Sequence, residues 1–199
     1  MDTLQSLHNI LRAESEAVAA IPVTPDYITA INLIVEHVHQ RGGKLVTSGM
    51  GKAGQIAVNI ATTFASTGTP AVSIHPADAQ HGDLGVLQPN DVLILISNSG
   101  RTAEINDLMS YARNIVPNIP VIVIVGDPES RLANNADVVL ATAPAPEVGP
   151  MGLTPTTSIT MMTVIGHLLV VEVMKRINFS REDYAKRHRG GTLGEKLRN

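Results

Sequence analysis

The sequence predicts a doubly wound α/β domain, in which a five-stranded parallel sheet is flanked by helices. Short apolar segments alternate with helical ones along most of the 199 residues, and this alternation is typical of parallel sheets. Two segments, 92–96 and 121–125, are apolar at every position, as strands covered on both faces are. A chain of this length suits one domain with a substantial core.

The individual elements follow from local patterns. Leu4, Leu7 and Leu11 recur at helical spacing, so the chain opens on an amphipathic helix. A second helix begins at the Thr24 cap and ends at Gly42. The remaining predicted elements are strand 44–48, helix 53–67, strand 70–75, strand 91–97, helix 102–114, strand 120–126, helix 128–135, strand 137–141 and helix 156–177.

The composition narrows the classes of function. The net charge is −3 without a block of like charge, which argues against a nucleic-acid partner and against a polybasic membrane contact. The chain has no cysteine, so disulfides and thiolate chemistry are excluded. The sequence shows neither a signal peptide nor a continuous apolar run of about 20 residues, so we expect a cytoplasmic protein without a membrane span.

A glycine-rich turn after the first strand raises the question of a dinucleotide cofactor. Gly49, Gly51 and Gly54 form G-x-G-x-x-G between a strand and a helix, as Rossmann turns do. Such folds also place an acidic residue at the end of the second strand. That strand ends here at His75, and Asp78 is a poor match for the acid. The sequence therefore favours another use of the loop, without a required cofactor.

A hydroxyl-rich turn follows the third predicted strand. Ser97, Ser99 and Thr102 supply three hydroxyls within six residues, and Gly100 permits the positive φ that lets backbone N–H groups converge. The next helix directs its positive end at the same point. These features predict a phosphate site, to which Ser48 at the end of the first strand would contribute. The alternative is a turn that only caps the helix.

Several segments together resemble the SIS (sugar isomerase) domain, and in particular the arabinose-5-phosphate isomerase family. They occur in the order GMGKAGQIA, TFASTGTPAVSIHPADAQHGDLG, ISNSGRTAEI, GPMGLTPTTSIT and HRGGTLGEKL. The resemblance implies one flavodoxin-like SIS domain over 1–199, with N-terminal helices 1–42, a core 44–177 and a C-terminal active-site tail 178–199. Many members continue into a pair of CBS domains, so this chain resembles a short form.

The resemblance also implies a reaction. Members interconvert D-arabinose 5-phosphate and D-ribulose 5-phosphate through an enediolate, and so supply Kdo for lipopolysaccharide or capsule. The chemistry needs a base, a stabiliser of the enediolate oxygen and a group that opens the ring, but no metal or organic cofactor. Two alternatives stay open: a non-catalytic phosphosugar-binding SIS module, and an isomerase of hexulose 6-phosphate or sedoheptulose 7-phosphate.

The resemblance assigns the site residues. The implied catalytic residues are Lys52, Glu104, Glu147 and His188. The implied substrate or phosphate contacts are Ser48, Gly68, Thr69, His75, His81, Ser97, Ser99 and Thr102. His75 is in addition a candidate ligand for an inhibitory metal ion. Without the resemblance, Glu104 would be a carboxylate that favours a helix start, and Glu147 an exposed loop acid. Arg189 follows His188 where the family usually has proline.

Apolar surface on two helices predicts a homo-oligomer. The helix near 159–174 and the stripe from Leu4 to Val18 carry more apolar surface than one sheet can cover, which usually marks an interface. The resemblance implies a tetramer, in which a C-terminal histidine reaches the pocket of a neighbouring subunit.

Overall fold

The computed structural model describes residues 2–190, and its main elements follow the predicted order. The helices are α1 (Thr3–Ala19), α2 (Asp26–Ile34), α3 (Lys52–Ser66), α4 (Pro76–Ala79), α5 (Ala103–Ile115), α6 (Arg131–Asn134), α7 (Thr157–Arg176) and α8 (Arg181–Arg187). The strands are β1 (Leu45–Gly49), β2 (Ala71–Ser73), β3 (Val92–Ser97), β4 (Val121–Val125) and β5 (Val138–Ala141). A π-helical turn, Val35–Gln40, continues α2, and a 3-10 turn spans Asp83–Val86.

The sheet confirms the predicted fold class. Within the described residues it contains five strands in the order β2-β1-β3-β4-β5, and every pair is parallel. This is the flavodoxin-like order, whose direction of winding reverses between β1 and β3. Gly49 of β1 pairs with Ile96 of β3, so these two strands end at nearly the same level. The loops that follow them diverge there and leave a crevice between them.

Two apolar layers cover the sheet. Ile94 and Ile96 of β3 pack with α1, α2, α3 and α7 on one face. Leu93 and Leu95 pack with α4, α5 and α6 on the other. Successive strand residues point to opposite faces, which explains why a strand buried on both sides is apolar throughout. The core therefore holds the carboxyl ends of β1 and β3 in a fixed relation.

Helix α7 is the longest described helix and a central part of the core. By length and composition it could cross a membrane, with a mean hydropathy of 1.6 over its most apolar window, although no segment was expected to approach that length. Half of that window is buried within the domain, as in core helices. Gly166 lets α7 approach α3 closely, because a Cβ there would lie 2.5 Å from the Ile60 side chain.

Three short elements are absent from the sequence-based prediction: α4, the 3-10 turn and α8. The first two lie between β2 and β3, where a long loop was expected. Helix α8 lies within the predicted C-terminal tail and begins with a capping box between Ser180 and Asp183. The final part of the tail, 191–199, lies outside the described residues and includes most of the HRGGTLGEKL segment.

Candidate active site

A cavity of about 280 Å³ lies at the point where the winding of the sheet reverses. Its walls are the turn after β1, the turn after β3 and the first turns of α7. The lining residues are Met50, Lys52, Ala53, Ile96, Ser97, Asn98, Ser99, Thr102, Pro155, Ser158, Ile159 and Met162. Ligands of open α/β sheets bind in this crevice, outside the carboxyl ends of the strands. The volume suits a small metabolite.

The glycines after β1 make a tight strand-to-helix turn. Gly51 has a φ of +60°, in the left-handed region. A Cβ on Gly49 would lie 2.6 Å from the Ala53 carbonyl oxygen, and one on Gly54 would lie 2.6 Å from the Gly49 carbonyl oxygen. The turn brings Lys52, the first residue of α3, to the cavity. A lysine at a helix start is electrostatically unfavourable, so its charge adds to the positive potential there.

The turn after β3 is built around its own hydroxyls. The Ser97 hydroxyl accepts from the Gly100 N–H at 3.1 Å and lies 3.2 Å from the Thr102 hydroxyl. The Ser99 hydroxyl accepts from the Arg101 N–H at 3.2 Å. Gly100 has a φ of +61°. Within residues 2–190 no side chain caps the start of α5, and its N-cap residue, Thr102, lines the cavity. The first N–H groups of a helix have no partner within the helix, so an anion bound there can accept from them.

The Glu147 carboxylate caps the N-terminus of α7. The position of Glu147 in the sequence did not predict this contact. Its Oε2 accepts from the Thr156 N–H at 2.8 Å, the Thr156 hydroxyl at 3.1 Å and the Ser158 N–H at 3.2 Å. Its Oε1 accepts from the Ser158 hydroxyl. Burial raises the pKa of the Glu147 carboxyl, but the hydrogen bonds from Ser158 and Thr156 outweigh burial and hold the pKa below its usual 4.5. The carboxyl is therefore ionised at neutral pH.

Glu147→Gln should lower the free energy of unfolding at about pH 7 by about 1 kcal/mol, because it removes a negative charge from a helix start. The pKa of Glu147 is lower in the folded chain than in the unfolded one. Its stabilisation is therefore complete above the unfolded pKa and is lost as the pH falls through the folded pKa. Urea unfolding should show the difference at about pH 7 and a smaller one at about pH 3.

The matched control is Glu16→Gln, which removes an exposed acid from α1. It should change the free energy of unfolding little at either pH. A Glu147→Gln difference that is equally large at both pH values would contradict an electrostatic origin.

Other predicted residues lie near the same edge of the sheet but outside the cavity. Glu104 is half-buried in the first turn of α5 and makes no side-chain hydrogen bond within the described residues. Ser48 was expected to face the pocket, but it is fully buried and its hydroxyl donates to the Ile74 carbonyl at 2.8 Å. His75 caps α4, with Nδ1 accepting from the Ala77 N–H at 3.3 Å.

The two histidines after β2 form no metal centre with other described residues. His75 lines a separate groove of about 400 Å³ with Gly49, Gly51 and Gly54. His81 is exposed, beyond α4. No group of three or more histidine, cysteine or acidic side chains among residues 2–190 could hold a metal ion. The role of His75 as a ligand for an inhibitory metal stays a prediction.

Gly68 and Thr69 were expected at the substrate, but they lie at the opposite edge of the sheet. Both precede β2, whereas the cavity lies beyond the carboxyl ends of β1 and β3. Thr69 is 1% exposed, and its hydroxyl pairs with His39 Nε2 at 3.0 Å. Gly68 has a φ of +93°, and a Cβ there would lie 2.6 Å from the Phe179 ring. Both residues shape the turn that enters β2.

His188 also lies far from the cavity of its own chain. Helix α7 begins at the cavity with Ser158 and is about 30 Å long at 1.5 Å per residue. His188 ends α8, which follows the far end of α7. Its ring stacks on Tyr184 with centroids 3.8 Å apart, and its Nδ1 lies 3.0 Å from the Tyr184 carbonyl oxygen. Because a carbonyl only accepts, Nδ1 carries the hydrogen, and Nε2 has no hydrogen-bond partner among residues 2–190.

Two polar residues that line the cavity, Asn98 and Ser158, were not predicted as site residues. Asn98 follows Ser97 at the end of β3, and its carbonyl accepts from the Gly126 N–H at 2.9 Å, which joins the turn to β4. Ser158 joins Glu147 to the cavity. The hydroxyl-rich TPTTS segment, 154–158, could have indicated a role for Ser158, because hydroxyls at a helix start form hydrogen bonds with nearby groups.

The geometry defines the class of protein: a doubly wound α/β domain with a cavity at the reversal of its sheet. The chain belongs to the SIS domain family, whose profile matches residues 38–172. It is 43% identical over 197 residues to the arabinose 5-phosphate isomerase KdsD of Shigella flexneri, covering 98% of this chain and 58% of the relative. The chain therefore spans less than two thirds of the length of such curated relatives.

Two solved structures are similar over almost their whole length. A Bacteroides fragilis structure, described as a candidate phosphosugar isomerase involved in capsule formation, is 57% identical with a TM-score of 0.94, covering 96% of this chain and 99% of that one. An Escherichia coli protein solved in complex with arabinose 5-phosphate is 32% identical with a TM-score of 0.85, covering 94% of this chain and 100% of that one. Four of the five segments that indicated the family, all between residues 49 and 160, thus lie in a shared fold.

Proposed function

We propose that this protein is an aldose–ketose isomerase that interconverts D-arabinose 5-phosphate and D-ribulose 5-phosphate. One observation carries the proposal: the start of α5, which has no side-chain cap among residues 2–190, and a serine bound to an ionised carboxylate border the same small cavity. A phosphate fits beside the helix start, and the carbon that loses its proton fits beside the carboxylate. The similarity to isomerases and to a protein bound to arabinose 5-phosphate supports the choice of substrate.

The turn after β3 binds the phosphate in this proposal. Ser97, Ser99 and Thr102 line the cavity beside the N–H groups that begin α5. The positive end of α5 neutralises part of the charge. Lys52 reaches the same cavity from α3 and has no ion-pair partner among residues 2–190. Its ammonium then serves the phosphate or the developing enediolate oxygen.

The proton transfer falls to the carboxylates. One of them, Glu104 or Glu147, takes the proton from C2 of the open-chain aldose, and negative charge develops on O1. That group returns the proton to C1, while the other carboxylate carries the hydrogen of O2 to O1, which gives the ketose. Glu147 is ionised at neutral pH, as a base must be. The step is an isomerisation, so it consumes no redox equivalent, and we propose that no cofactor is required.

His188 then acts in the site of a neighbouring subunit, where it opens the sugar ring. The length of α7 separates His188 from the cavity of its own chain, while its free Nε2 can accept or donate a proton. An interface is available on α1, where Leu4, Leu7 and Leu11 are 65%, 56% and 68% exposed. We therefore propose a homo-oligomer, and specifically a tetramer, in the cytoplasm.

The alternatives make different predictions about turnover. A phosphosugar sensor needs the turn after β3 but no ionised carboxylate near the cavity. The ionised Glu147 carboxylate therefore favours an enzyme over a sensor. An isomerase of hexulose 6-phosphate or sedoheptulose 7-phosphate would use the same cavity. The similarity to KdsD favours the pentose phosphate. The product would supply Kdo for lipopolysaccharide or capsule.

The purified protein should convert arabinose 5-phosphate to ribulose 5-phosphate without added NAD, ATP or metal, and NMR of the mixture should show both sugars at equilibrium. Dialysis against a chelator should leave the rate unchanged. Hexulose 6-phosphate and sedoheptulose 7-phosphate are the control substrates. Turnover of a control substrate but not of the pentose phosphate would overturn the substrate. Tight binding without any turnover would favour the sensor.

A further inference from the structure

We propose that Ser158, which lines the cavity, is a positioning residue that holds the Glu147 carboxylate beside the cavity and leaves Oε1 as the oxygen that exchanges a proton with substrate. This inference rests on the proposed isomerase activity. It concerns a serine whose hydroxyl and N–H both donate to one carboxylate. Ser158 is also the member of this hydrogen-bonded group that lines the cavity.

The two carboxylate oxygens have different surroundings. Oε2 accepts three hydrogen bonds, two from Thr156 and one from the Ser158 N–H. Oε1 accepts one, from the Ser158 hydroxyl. A carboxylate oxygen has about two lone-pair sites, so Oε2 has no lone pair to spare and Oε1 keeps one. The proton therefore goes to Oε1, next to the residue that lines the cavity.

The serine also determines the basicity of the carboxylate. Hydrogen bonds to the charged form lower the pKa of Glu147, and the Ser158 hydroxyl is the strongest of them. The charged groups around this point are few. Lys52 lines the cavity. Glu104 lies at the start of α5, and Glu14 of α1 accepts a hydrogen bond from the Thr160 hydroxyl on α7. The hydrogen bonds, rather than these charges, set the shift of the pKa.

Ser158→Ala should lower kcat about 10²-fold, the loss expected when a reacting group is misplaced by about 1 Å. KM should stay within a few-fold, because the phosphate turn is intact. The acidic limb of the kcat profile should move to higher pH, since the Glu147 pKa rises when the donor is lost. Ser158→Thr keeps the hydroxyl and should restore most of kcat.

Thr163→Ala is the matched control on the same helix. Its hydroxyl donates only to the Ile159 carbonyl of α7 at 2.8 Å, so its loss should leave kcat and the pH profile unchanged. Titration of ¹³C-labelled glutamate carboxyls by NMR should show a raised Glu147 pKa in Ser158→Ala and not in Thr163→Ala, and this measurement does not depend on turnover.

Each result decides between distinct conclusions. A wild-type protein without turnover overturns both the proposed function and this inference. An active wild type with an unchanged rate in Ser158→Ala overturns only the inference. An equal loss of kcat in Ser158→Ala and Ser158→Thr, with an unmoved acidic limb and an unmoved Glu147 titration, shows that the serine acts only through folding, which also overturns it.

Discussion

The Glu104→Gln protein is expected to turn over arabinose 5-phosphate between about 10² and 10⁴ times more slowly than wild type, the range that one general base contributes. KM should change little, since glutamine keeps the shape of the side chain and the phosphate turn is unaltered. A fall in kcat without a rise in KM identifies an interaction made in the transition state. Steady-state kinetics at several sugar phosphate concentrations measures both quantities.

The matched control for this substitution is Asp107→Asn. Asp107 lies one turn further along α5 and is similarly half-buried. Its loss removes a carboxylate from the same helix without touching the start of α5, so kcat should stay close to that of wild type. If Glu104→Gln also stays within a few-fold of wild type, Glu104 is only a favourable charge at a helix start.

A mixture of inactive His188→Ala and Glu104→Gln chains, unfolded and refolded together, is expected to regain activity. Each site in the proposed oligomer takes Glu104 from one chain and His188 from a neighbour. In an equal mixture about a quarter of the sites receive both native residues, because each arrives with a chance of about one half in a symmetric assembly. The regained rate should therefore approach about a quarter of wild type.

Separately refolded chains of each variant are the control, and both should stay inactive. Light scattering of the mixture should give the same mass as wild type. A well-folded mixed oligomer without activity would place both residues in one chain, and a monomeric wild type would remove the shared site altogether.

Much of the fold could be predicted because burial on both faces leaves a plain pattern. β3 is apolar from Val92 to Ile96 and β4 is apolar throughout, and each is followed by a predicted helix, so the parallel sheet follows from sequence alone. Helix α8 was missed although Ser180 and Asp183 have the spacing of a capping box. It has seven residues and none of them is buried, so it lacks the apolar periodicity that marks longer helices.

The candidate site was only partly predictable, because a linear motif does not tell which edge of the sheet a residue occupies. Ser97, Ser99 and Thr102 follow a strand directly, and the structure brings all three to the cavity. Gly68 and Thr69 belong to a similarly specific segment, but they precede β2 instead of following a strand. Ser48 lies near the end of β1, yet its side chain is buried in the core instead of facing the crevice.

The hydrogen bond between Ser158 and Glu147 could not be predicted from the sequence for a different reason. The two residues lie 11 positions apart across a loop with several prolines and glycines, where no helical or strand periodicity fixes a contact. Only the direction of the loop after β5 brings the carboxylate to the start of α7. The hydroxyls could be recognised as donors, but their acceptor could not.

The three helix starts around the cavity give it an electrical direction. α3 and α5 begin there without a side-chain cap, whereas α7 begins under the Glu147 carboxylate. An anion is attracted to the first two and repelled at the third. An elongated molecule with a negative group at one end and a neutral carbonyl at the other therefore enters in one orientation. Since backbone dipoles set that orientation, side chains that line the cavity can change which molecule fits without turning it around.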